Sequence, residues 1–352
     1  MGLRDRMRGF FRPEKQKKPV LAAALELTPR CTADCLYCYN VWKSHPDYPA
    51  GELQDDGIFR VMDALLASNR VTLVSLTGGE PLLLGEKVLE LAAMARLAGK
   101  GVNLVTNGYL LTRDLAKNFR RLGVKPIEIT LLSRDPDVHN KRQRCDSHAR
   151  AVQAVEMVAE LGGQPIVGIV GTRLNMPRLA DTLEFVKGLG ARGVMFTRFN
   201  PGGEGLRHWQ ELAPSKRDLR EAMKTLISFA AANPEMSISC GVPMPPCVLG
   251  FTDYGRVSMG YCNAGGDLVG VDWRGNLRPC NHSSLITGNI LEKPLDDLLE
   301  SKVLKDFMAP VPQMCVGCQF YEQCKGGCRG ASWELAWFLR QEKAGKSKAK
   351  KA

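Results

Sequence analysis

Residues 21–38 read Leu-Ala-Ala-Ala-Leu-Glu-Leu-Thr-Pro-Arg-Cys-Thr-Ala-Asp-Cys-Leu-Tyr-Cys, a short apolar run followed by three closely spaced cysteines. An apolar run of this length is typical of a buried parallel strand. Cys31, Cys35 and Cys38 lie in one loop and can surround a single metal centre. A structural zinc ion usually takes four protein ligands, whereas a [4Fe–4S] cube held by three cysteines keeps one iron open. We therefore expect an iron–sulfur site, with a zinc loop completed by a distant residue as the alternative.

Five further apolar runs follow, and amphipathic stretches separate them. The six strand candidates are Leu21–Leu27, Val71–Leu76, Val102–Thr106, Ile127–Leu132, Ile166–Thr172 and Val194–Phe199. This alternation of buried strands with helices predicts a parallel sheet with right-handed crossovers. The expected fold class is α/β, a partial (β/α)6 TIM-like barrel with its active residues at the carboxyl ends of the strands. A small cysteine-rich domain is expected after the barrel.

Composition divides the chain into five parts. We expect a basic N-terminal arm at 1–18, the barrel at 19–207, a linking helix within 208–235, a cysteine-rich domain at 236–338 and a basic tail at 339–352. The linking helix is expected at about Ser215–Ala231. The cysteine-rich part has few long apolar elements, so we expect it to need bound metal in order to fold.

Glycine-rich or polar segments follow the later strands and are candidates for ligand binding. The segment Thr-Gly-Gly-Glu-Pro at 77–81 follows the second strand; glycine lets a backbone approach a ligand closely, and Glu80 offers a carboxylate to a cationic group. The candidates after strands three to six are Thr106, Asn107, Ser133, Asn175 and Arg198. Cys145 follows the fourth strand and is expected to be a free thiol, with a catalytic role as a radical quencher left open.

A second group of cysteines lies near the C-terminus, and its spacing is regular. Cys262 precedes the segment Gly-Asn-Leu-Arg-Pro-Cys that ends at Cys280. A later segment has the spacing Cys315-x2-Cys318-x5-Cys324-x3-Cys328. Clustered cysteines in a chain without a secretory signal indicate metal binding rather than disulfides.

Together these motifs resemble the radical SAM superfamily, with a C-terminal extension of the SPASM type, over roughly residues 20–335. The resemblance implies that Cys31, Cys35 and Cys38 hold a [4Fe–4S] cluster that binds S-adenosylmethionine. It also implies a set of residues that contact or support this cofactor. These are Tyr37, Gly78, Gly79, Glu80, Thr106, Asn107, Ser133, Asn175 and Arg198.

The same resemblance implies one or two auxiliary [4Fe–4S] clusters in the cysteine-rich domain. The expected ligands are Cys247, Cys262, Cys280 and Cys328 for the first cluster, and Cys315, Cys318, Cys324 and Cys240 for the second. Relatives usually carry one more cysteine after the position of Cys328, and this chain has none. The fourth ligand of the second cluster therefore stays open between Cys240, a carboxylate and an open iron. A single auxiliary cluster with leftover thiols is the alternative.

The net charge of +11 is concentrated at the two ends of the chain. Residues 1–18 and 340–352 each carry an excess of five positive charges, so the part between them is nearly neutral. We expect these ends to be solvated arms. The sequence has no nucleic-acid-binding signature, no secretory signal and no apolar run long enough to span a membrane. We therefore expect a cytoplasmic protein without a nucleic-acid partner.

The resemblance also implies the chemistry: reductive cleavage of S-adenosylmethionine to a 5′-deoxyadenosyl radical, which abstracts hydrogen from a substrate. The extension favours oxidative maturation of a peptide or protein, by a crosslink or a side-chain oxidation. The alternatives are a small-molecule substrate, such as a porphyrin-like compound or a sugar, and a non-catalytic iron–sulfur electron carrier. Expected partners are an electron donor such as flavodoxin or ferredoxin and a separate leader-peptide-binding chain, since only 20 residues precede the first strand.

Overall fold

A computed structural model describes residues 21–49, 51 and 57–349 of the chain. The expected N-terminal arm and the last three residues of the expected tail lie outside this part. Residues 339–349 of the expected tail continue a helix that begins at Arg329.

The described chain forms a single sheet of 11 strands. The strands are β1 (Leu21–Glu26), β2 (Val71–Thr77), β3 (Gly101–Thr106), β4 (Ile127–Thr130), β5 (Pro165–Gly171), β6 (Gly193–Arg198), β7 (Ser237–Cys240), β8 (Ser258–Met259), β9 (Leu268–Val271), β10 (Asn276–Arg278) and β11 (Gly288–Asn289). Their order is β11-β10-β9-β1-β2-β3-β4-β5-β6-β7-β8. Neighbours from β9 through β1 to β8 are parallel, and the two pairs that involve β10 are antiparallel.

Helices connect the strands and cover the outside of the sheet. They are α1 (Gly57–Leu66), α2 (Lys87–Leu97), α3 (Arg113–Arg121), α4 (Pro136–Gln143), α5 (His148–Glu160), α6 (Leu179–Gly188), α7 (Trp209–Leu212), α8 (Lys216–Ala232), α9 (Pro246–Leu249), α10 (Leu295–Leu299), α11 (Lys302–Met308), α12 (Tyr321–Cys324) and α13 (Arg329–Ala349). Helix α8 begins with a capping box between Ser215 and Asp218, which satisfies free N–H groups of its first turn. Among the described residues, no helix is long and apolar enough to cross a membrane.

All six expected strands form within two residues of their expected limits, and they are parallel. The sheet extends further than we expected, because β7 pairs with β6 and β9 pairs with β1. Both added strands come from the segment that we assigned to a separate cysteine-rich domain. They have four residues each, which is too short for hydrophobic periodicity to reveal. The barrel and the cysteine-rich part therefore share one sheet.

The hydrophobic core is also shared between the two parts. Leu25 of β1 belongs to the same buried cluster as Trp273 and Leu277 from the C-terminal part. Beside them, the Arg278 guanidinium donates to the Glu26 carboxylate, and both side chains are almost completely buried. Removing one member of such a buried pair leaves an uncompensated charge, which costs roughly 3–5 kcal/mol. The contact therefore ties β10 to β1 directly behind the cysteine loop.

Candidate active site and cysteine groups

A cavity of about 360 Å³ opens at the carboxyl ends of the barrel strands. The loop after β1 contributes Cys31, Cys35 and Cys38 to its wall. The segment after β2 contributes Gly78 and Gly79, and Thr106 and Asn107 follow from the end of β3. Parallel strands bring these loops to one edge of the sheet, as the sequence pattern predicts.

The thiols of the first loop lie in surroundings that favour their neutral form. Burial raises the pKa of Cys31 and of Cys35, and it raises the pKa of Cys38 to about 11. Iron binds the thiolate, so binding of metal here would release protons. The donor set fits a cube with an open corner, since three thiols face one cavity and none of the other described cysteines lines it.

Polar side chains on neighbouring elements hold the cysteine loop in place. The Asn107 side-chain amide donates to Thr32 Oγ1 at 2.8 Å and approaches Cys31 Sγ at 3.8 Å. On the other side, Cys35 Sγ lies 3.9 Å from Gln143 Oε1 of α4. Gln143 Nε2 is buried without a hydrogen-bond partner in the described structure. The cysteine loop therefore rests between the end of β3 and the end of α4.

Tyr37 lies where we expected it, in the wall of the cavity. Its ring is 9% exposed and packs with Leu132 and Phe199. Burial raises the pKa of its hydroxyl well above the usual value. Tyr37 is therefore a neutral, mostly buried wall element.

The two glycines after β2 have a packing role that we did not expect, besides lining the cavity. A Cβ atom on Gly79 would overlap the carbonyl group of Arg30, and Gly78 has a φ of +138°. The Gly79 N–H donates to Thr28 O at 2.7 Å, and the Glu80 N–H donates to Arg30 O at 2.8 Å. The glycines therefore let the second loop pack directly against the cysteine loop, in addition to lining the cavity.

Glu80 points into the protein rather than into the cavity. Its carboxylate accepts hydrogen bonds from Thr106 Oγ1 at 2.7 Å, from the Asn107 N–H at 2.8 Å and from the Leu82 N–H at 3.1 Å. The side chain is completely buried, and burial raises its pKa. In this structure Glu80 joins the segment after β2 to the end of β3, so its side chain positions Asn107. A contact between Glu80 and the cofactor stays a prediction.

Two other candidates, Ser133 and Asn175, do not line the cavity. The Ser133 hydroxyl accepts from the Asp135 N–H at 3.0 Å in the turn before α4. The Asn175 amide is saturated by four hydrogen bonds, which involve Thr172, Leu132 O and Val170 O. Ser133 thus shapes its own turn, whereas Asn175 joins the ends of β4 and β5. Their contacts with the cofactor stay a prediction.

Arg198 and Cys145 also lie away from the cavity wall. Arg198 donates to the carbonyl groups of Pro243 and Phe199 and to Asn200 Oδ1, at 3.2–3.4 Å. Cys145 is half-buried beside Asp146, and burial raises the pKa of its thiol. A thiol outside the cavity wall is badly placed to quench a radical inside it.

The first C-terminal cysteine group consists of Cys262, Cys280 and Cys328. Cys328 hydrogen-bonds to Cys262 and lowers the pKa of that thiol. Burial and, to a smaller extent, Cys262 raise the pKa of Cys280 to about 12. We expected Cys247 as the fourth member, but no contact joins it to these three thiols in the described structure.

Cys247 lies near the second C-terminal cysteine group, which consists of Cys315, Cys318 and Cys324. Cys247 lies close enough to Cys315 to raise the pKa of that thiol, as do Cys324 and Cys318 after the larger effect of burial. Cys240 sits in β7, and only burial raises its pKa, to about 12. Cys247 therefore lies near Cys315, and the assignment of Cys247 and Cys240 to the two auxiliary clusters stays a prediction.

Aromatic and amide side chains connect the cavity to the first group. The rings of Tyr39 and His282 stack with centroids 3.8 Å apart. The Asn200 amide contacts His282 Nδ1 at 2.6 Å and donates to Cys328 Sγ at 3.4 Å. All three side chains line the cavity. Sequence reasoning missed them, although Tyr39 adjoins Cys38 and His282 follows Cys280 by two positions.

Sequence reasoning also missed two polar side chains inside the barrel. Glu128 of β4 and Asn103 of β3 line the cavity. The available signal was the alternation Ile-Glu-Ile-Thr at 127–130, which places polar residues on one face of the strand.

Two family models match the chain in the regions described above. The radical SAM superfamily matches residues 25–186, and the iron–sulfur cluster-binding SPASM domain matches residues 262–329. The first region contains the cavity loops after β1 to β4. The second contains both C-terminal cysteine groups except Cys247.

Curated relatives align over most of the chain at low identity. The AdoMet-dependent heme synthase of Methanosarcina barkeri is 24% identical, over 88% of this chain and 91% of the relative. The mycofactocin maturase MftC of Mycobacterium ulcerans is 26% identical, over 88% and 82% respectively. The PqqA peptide cyclase of Ruegeria pomeroyi is 27% identical, over 92% and 86%.

Solved structures share the fold. Native anSMEcpe with bound AdoMet has a TM-score of 0.68 at 20% identity, covering 88% of this chain and 89% of that one. Streptococcus suis SuiB bound to its precursor peptide SuiA has a TM-score of 0.71 at 15% identity, covering 88% and 72%.

The cysteine loop, the cavity and the matched regions agree with one another. Three thiols of one loop face a cavity at the carboxyl ends of a parallel sheet, in the region that the first family model matches. The C-terminal cysteine groups fall mostly in the region that the second matches. The chain therefore belongs to the radical SAM superfamily, as an enzyme with S-adenosylmethionine and [4Fe–4S] clusters as cofactors and a SPASM domain in its C-terminal part.

Proposed function

We propose that this enzyme carries out the oxidative maturation of a peptide or protein, by forming a crosslink or oxidising a side chain. The observation that carries the proposal is that three thiols of one loop face the same cavity as the backbone after β2 and the end of β3. A cube held by Cys31, Cys35 and Cys38 has one iron without a protein ligand. When bound, the cluster and S-adenosylmethionine supply a 5′-deoxyadenosyl radical that abstracts hydrogen from the substrate.

The residues of this chain position the cofactor and exclude water. The backbone at Gly78 and Gly79 forms the wall beside the cysteine loop, and Asn107 orients that loop through Thr32. Glu80 acts through Asn107, because it accepts the N–H of that residue. Tyr37 closes the wall with an apolar ring face. A closed, preorganised wall protects a reactive radical from solvent.

The two C-terminal cysteine groups would hold auxiliary clusters. Cys247, Cys315, Cys318 and Cys324 offer four thiolates, which suffices for a fully ligated cube. Cys262, Cys280 and Cys328 offer three, on the side where Asn200 and His282 reach the cavity. Electron acceptors next to the substrate suit an oxidative reaction, because the substrate radical must lose one electron to become a closed-shell product.

A peptide substrate is supported by several similar proteins. Two curated relatives are a mycofactocin maturase and a PqqA peptide cyclase, and SuiB of the same fold binds a precursor peptide. The second candidate is a porphyrin-like small molecule, which the heme synthase relative favours because the alignment covers 91% of that protein. We propose a cytoplasmic location, a flavodoxin or ferredoxin as electron donor, and a separate chain that presents the leader of the peptide.

The radical chemistry is tested by anaerobic reconstitution with iron and sulfide, followed by dithionite and S-adenosylmethionine. We expect about 12 irons per chain for three [4Fe–4S] clusters, about eight for two, and release of 5′-deoxyadenosine. Replacing Cys31, Cys35 and Cys38 together by Ala should abolish the release. Cys145→Ala is the matched control, because this thiol lies outside the cavity wall. Release of 5′-deoxyadenosine by the triple variant would refute the assignment.

The substrate class is tested with short peptides encoded beside this gene. Mass spectrometry should show a peptide product that has lost two hydrogens in the presence of enzyme and cofactor. Conversion of a carboxylated porphyrin, with no change in any such peptide, would replace the proposal by its alternative. A redox-neutral rearrangement of the peptide would contradict the oxidative step.

A further inference from the structure

The interior of the barrel contains a carboxylate that nothing in the mechanism above uses. Glu128 projects from β4 into the cavity, between Ile127 and Ile129, which are buried in the core. Among the described residues that line the cavity, Glu128 is the only Asp, Glu, Lys or Arg. Glu128 is therefore the one carboxylate in the described wall of the cavity.

The carboxylate of Glu128 faces a glycine, and it has no hydrogen-bond or ion-pair partner among the described residues. Gly168 of β5 lies opposite, and a Cβ atom added there would come within 2.8 Å of Glu128 Oε1. No hydrogen bond or ion pair joins Glu128 to any described residue. Burial raises the pKa of this carboxyl to about 7, and no neighbouring group lowers it. An unpaired carboxylate inside a protein is costly unless a ligand satisfies it.

A second acceptor lies on the adjacent strand. Asn103 of β3 also lines the cavity, and its Oδ1 atom is buried without a hydrogen-bond partner in the described structure. Two unsatisfied acceptors on neighbouring strands match a ligand group that carries several N–H donors and a positive charge. A carboxylated ligand would find no cationic side chain in the described wall of this cavity.

We propose that Glu128 and Asn103 form an acceptor site that recognises a primary ammonium group of the substrate, such as a lysine side chain. The proposal rests on the proposed function, because it assigns the cavity to a peptide substrate, and it extends that function by naming a cationic residue at the reacting position. S-adenosylmethionine also carries positive charge, so the alternative hypothesis is that Glu128 binds the cofactor. Glu128 lies within a strand, whereas the thiols and the glycine wall lie in the loops beyond the strand ends.

The test measures binding of a defined probe to the cluster-reconstituted full chain without oxygen. The probe is n-butylammonium, with 1-butanol as its neutral match and butyrate as its anionic match, observed by ligand NMR at pH 8. Glu128→Gln removes the charge with little change in shape. Gly168→Ala keeps the charge but displaces the carboxylate, and Glu184→Gln on the exposed face of α6 is the control.

We expect n-butylammonium to bind the unmodified protein about tenfold more tightly than 1-butanol, a preference that both Glu128→Gln and Gly168→Ala remove. Glu184→Gln should keep it. Equal binding of the two probes to the unmodified protein, or an undiminished preference in Glu128→Gln, would overturn the proposal. So would a loss of S-adenosylmethionine affinity in Glu128→Gln as large as the loss for n-butylammonium. If the proposed function itself is wrong, the unmodified enzyme will release no 5′-deoxyadenosine, which is a separate measurement.

Discussion

Replacing Glu128 by Gln should stabilise the protein in a pH-dependent way. Burial raises the pKa of Glu128 from 4.5 to about 7. At about 1.4 kcal/mol for each tenfold change in the acid dissociation constant, this corresponds to about 3 kcal/mol. The folded state binds the proton more tightly than the unfolded chain, so the contribution of Glu128 to stability falls as the pH rises from 4.5 to 7. Below pH 4.5 both states are protonated and this cost is absent.

The Gln variant lacks this cost at every pH. We expect it to match the unmodified protein near pH 4.5 and to exceed its stability by about 1–3 kcal/mol at pH 8, since the amide still occupies a polar cavity. For a chain of this size the shift is on the order of 5 °C in Tm. Other titratable groups in the cavity wall are the three cysteines, Tyr37, Tyr39 and His282. Burial and two arginines hold the pKa of His282 at about 3, so His282 stays neutral in this window.

The assay is thermal unfolding of reconstituted protein without oxygen at several pH values, with Glu184→Gln as the surface control. The measured quantity is the Tm difference between the variant and the unmodified protein as a function of pH. A difference that stays constant between pH 4.5 and 8 would show that Glu128 does not titrate as a buried carboxyl. The cavity argument would then lose its electrostatic basis.

Three further substitutions probe the packing of the site. Gly79→Ala should prevent the loop after β2 from packing on the cysteine loop, because the added methyl group overlaps a carbonyl; iron bound at the first cluster should fall severalfold by iron analysis. Arg278→Met should lower the free energy of unfolding by roughly 3–5 kcal/mol, because it leaves a buried carboxylate unpaired; urea denaturation measures this. Cys247→Ala should reduce bound iron by up to about four atoms per chain if this thiol completes the second group; iron analysis and EPR check it.

Each of these substitutions has a matched control in the chain. Gly188→Ala adds a methyl group where no atom lies within 4 Å, so it should leave iron content intact. Glu26→Gln combined with Arg278→Met removes both charges and should recover part of the lost stability. Cys240→Ala should retain the iron that Cys247→Ala loses. Loss of iron in both Cys247→Ala and Cys240→Ala would instead agree with the ligand set that we first expected.

The barrel strands and the linking helix could be predicted from the sequence. The strand candidates and the helix at about Ser215–Ala231 were visible because burial imposes periodic patterns on consecutive residues. The predicted helix corresponds to α8 (Lys216–Ala232). The strands that extend the six-stranded sheet on both sides were not visible, because β7 and β9 have four residues each and form only by pairing with β6 and β1.

Part of the candidate site could also be predicted from the sequence. The loops that line the cavity were identified because each follows a strand, and parallel strands end at one edge. The roles of individual side chains were harder to predict. Glu80 and Asn175 have the chemistry of ligand-binding residues, but hydrogen bonds within the protein use most or all of their capacity. Sequence does not reveal which polar groups the protein itself satisfies.

The sequence alone determined the cysteine spacing, the alternation of strands and helices, and hence the superfamily, because these are properties of neighbouring residues. Only the tertiary structure brought Cys247 near Cys315, since a long segment separates these thiols and the chain path decides which of them meet. Likewise, the alternating Ile-Glu-Ile-Thr of β4 is compatible with a strand whose polar face meets water. Curvature of the sheet turns that face inward, and so converts Glu128 from a surface acid into the one charged wall residue found in the described cavity.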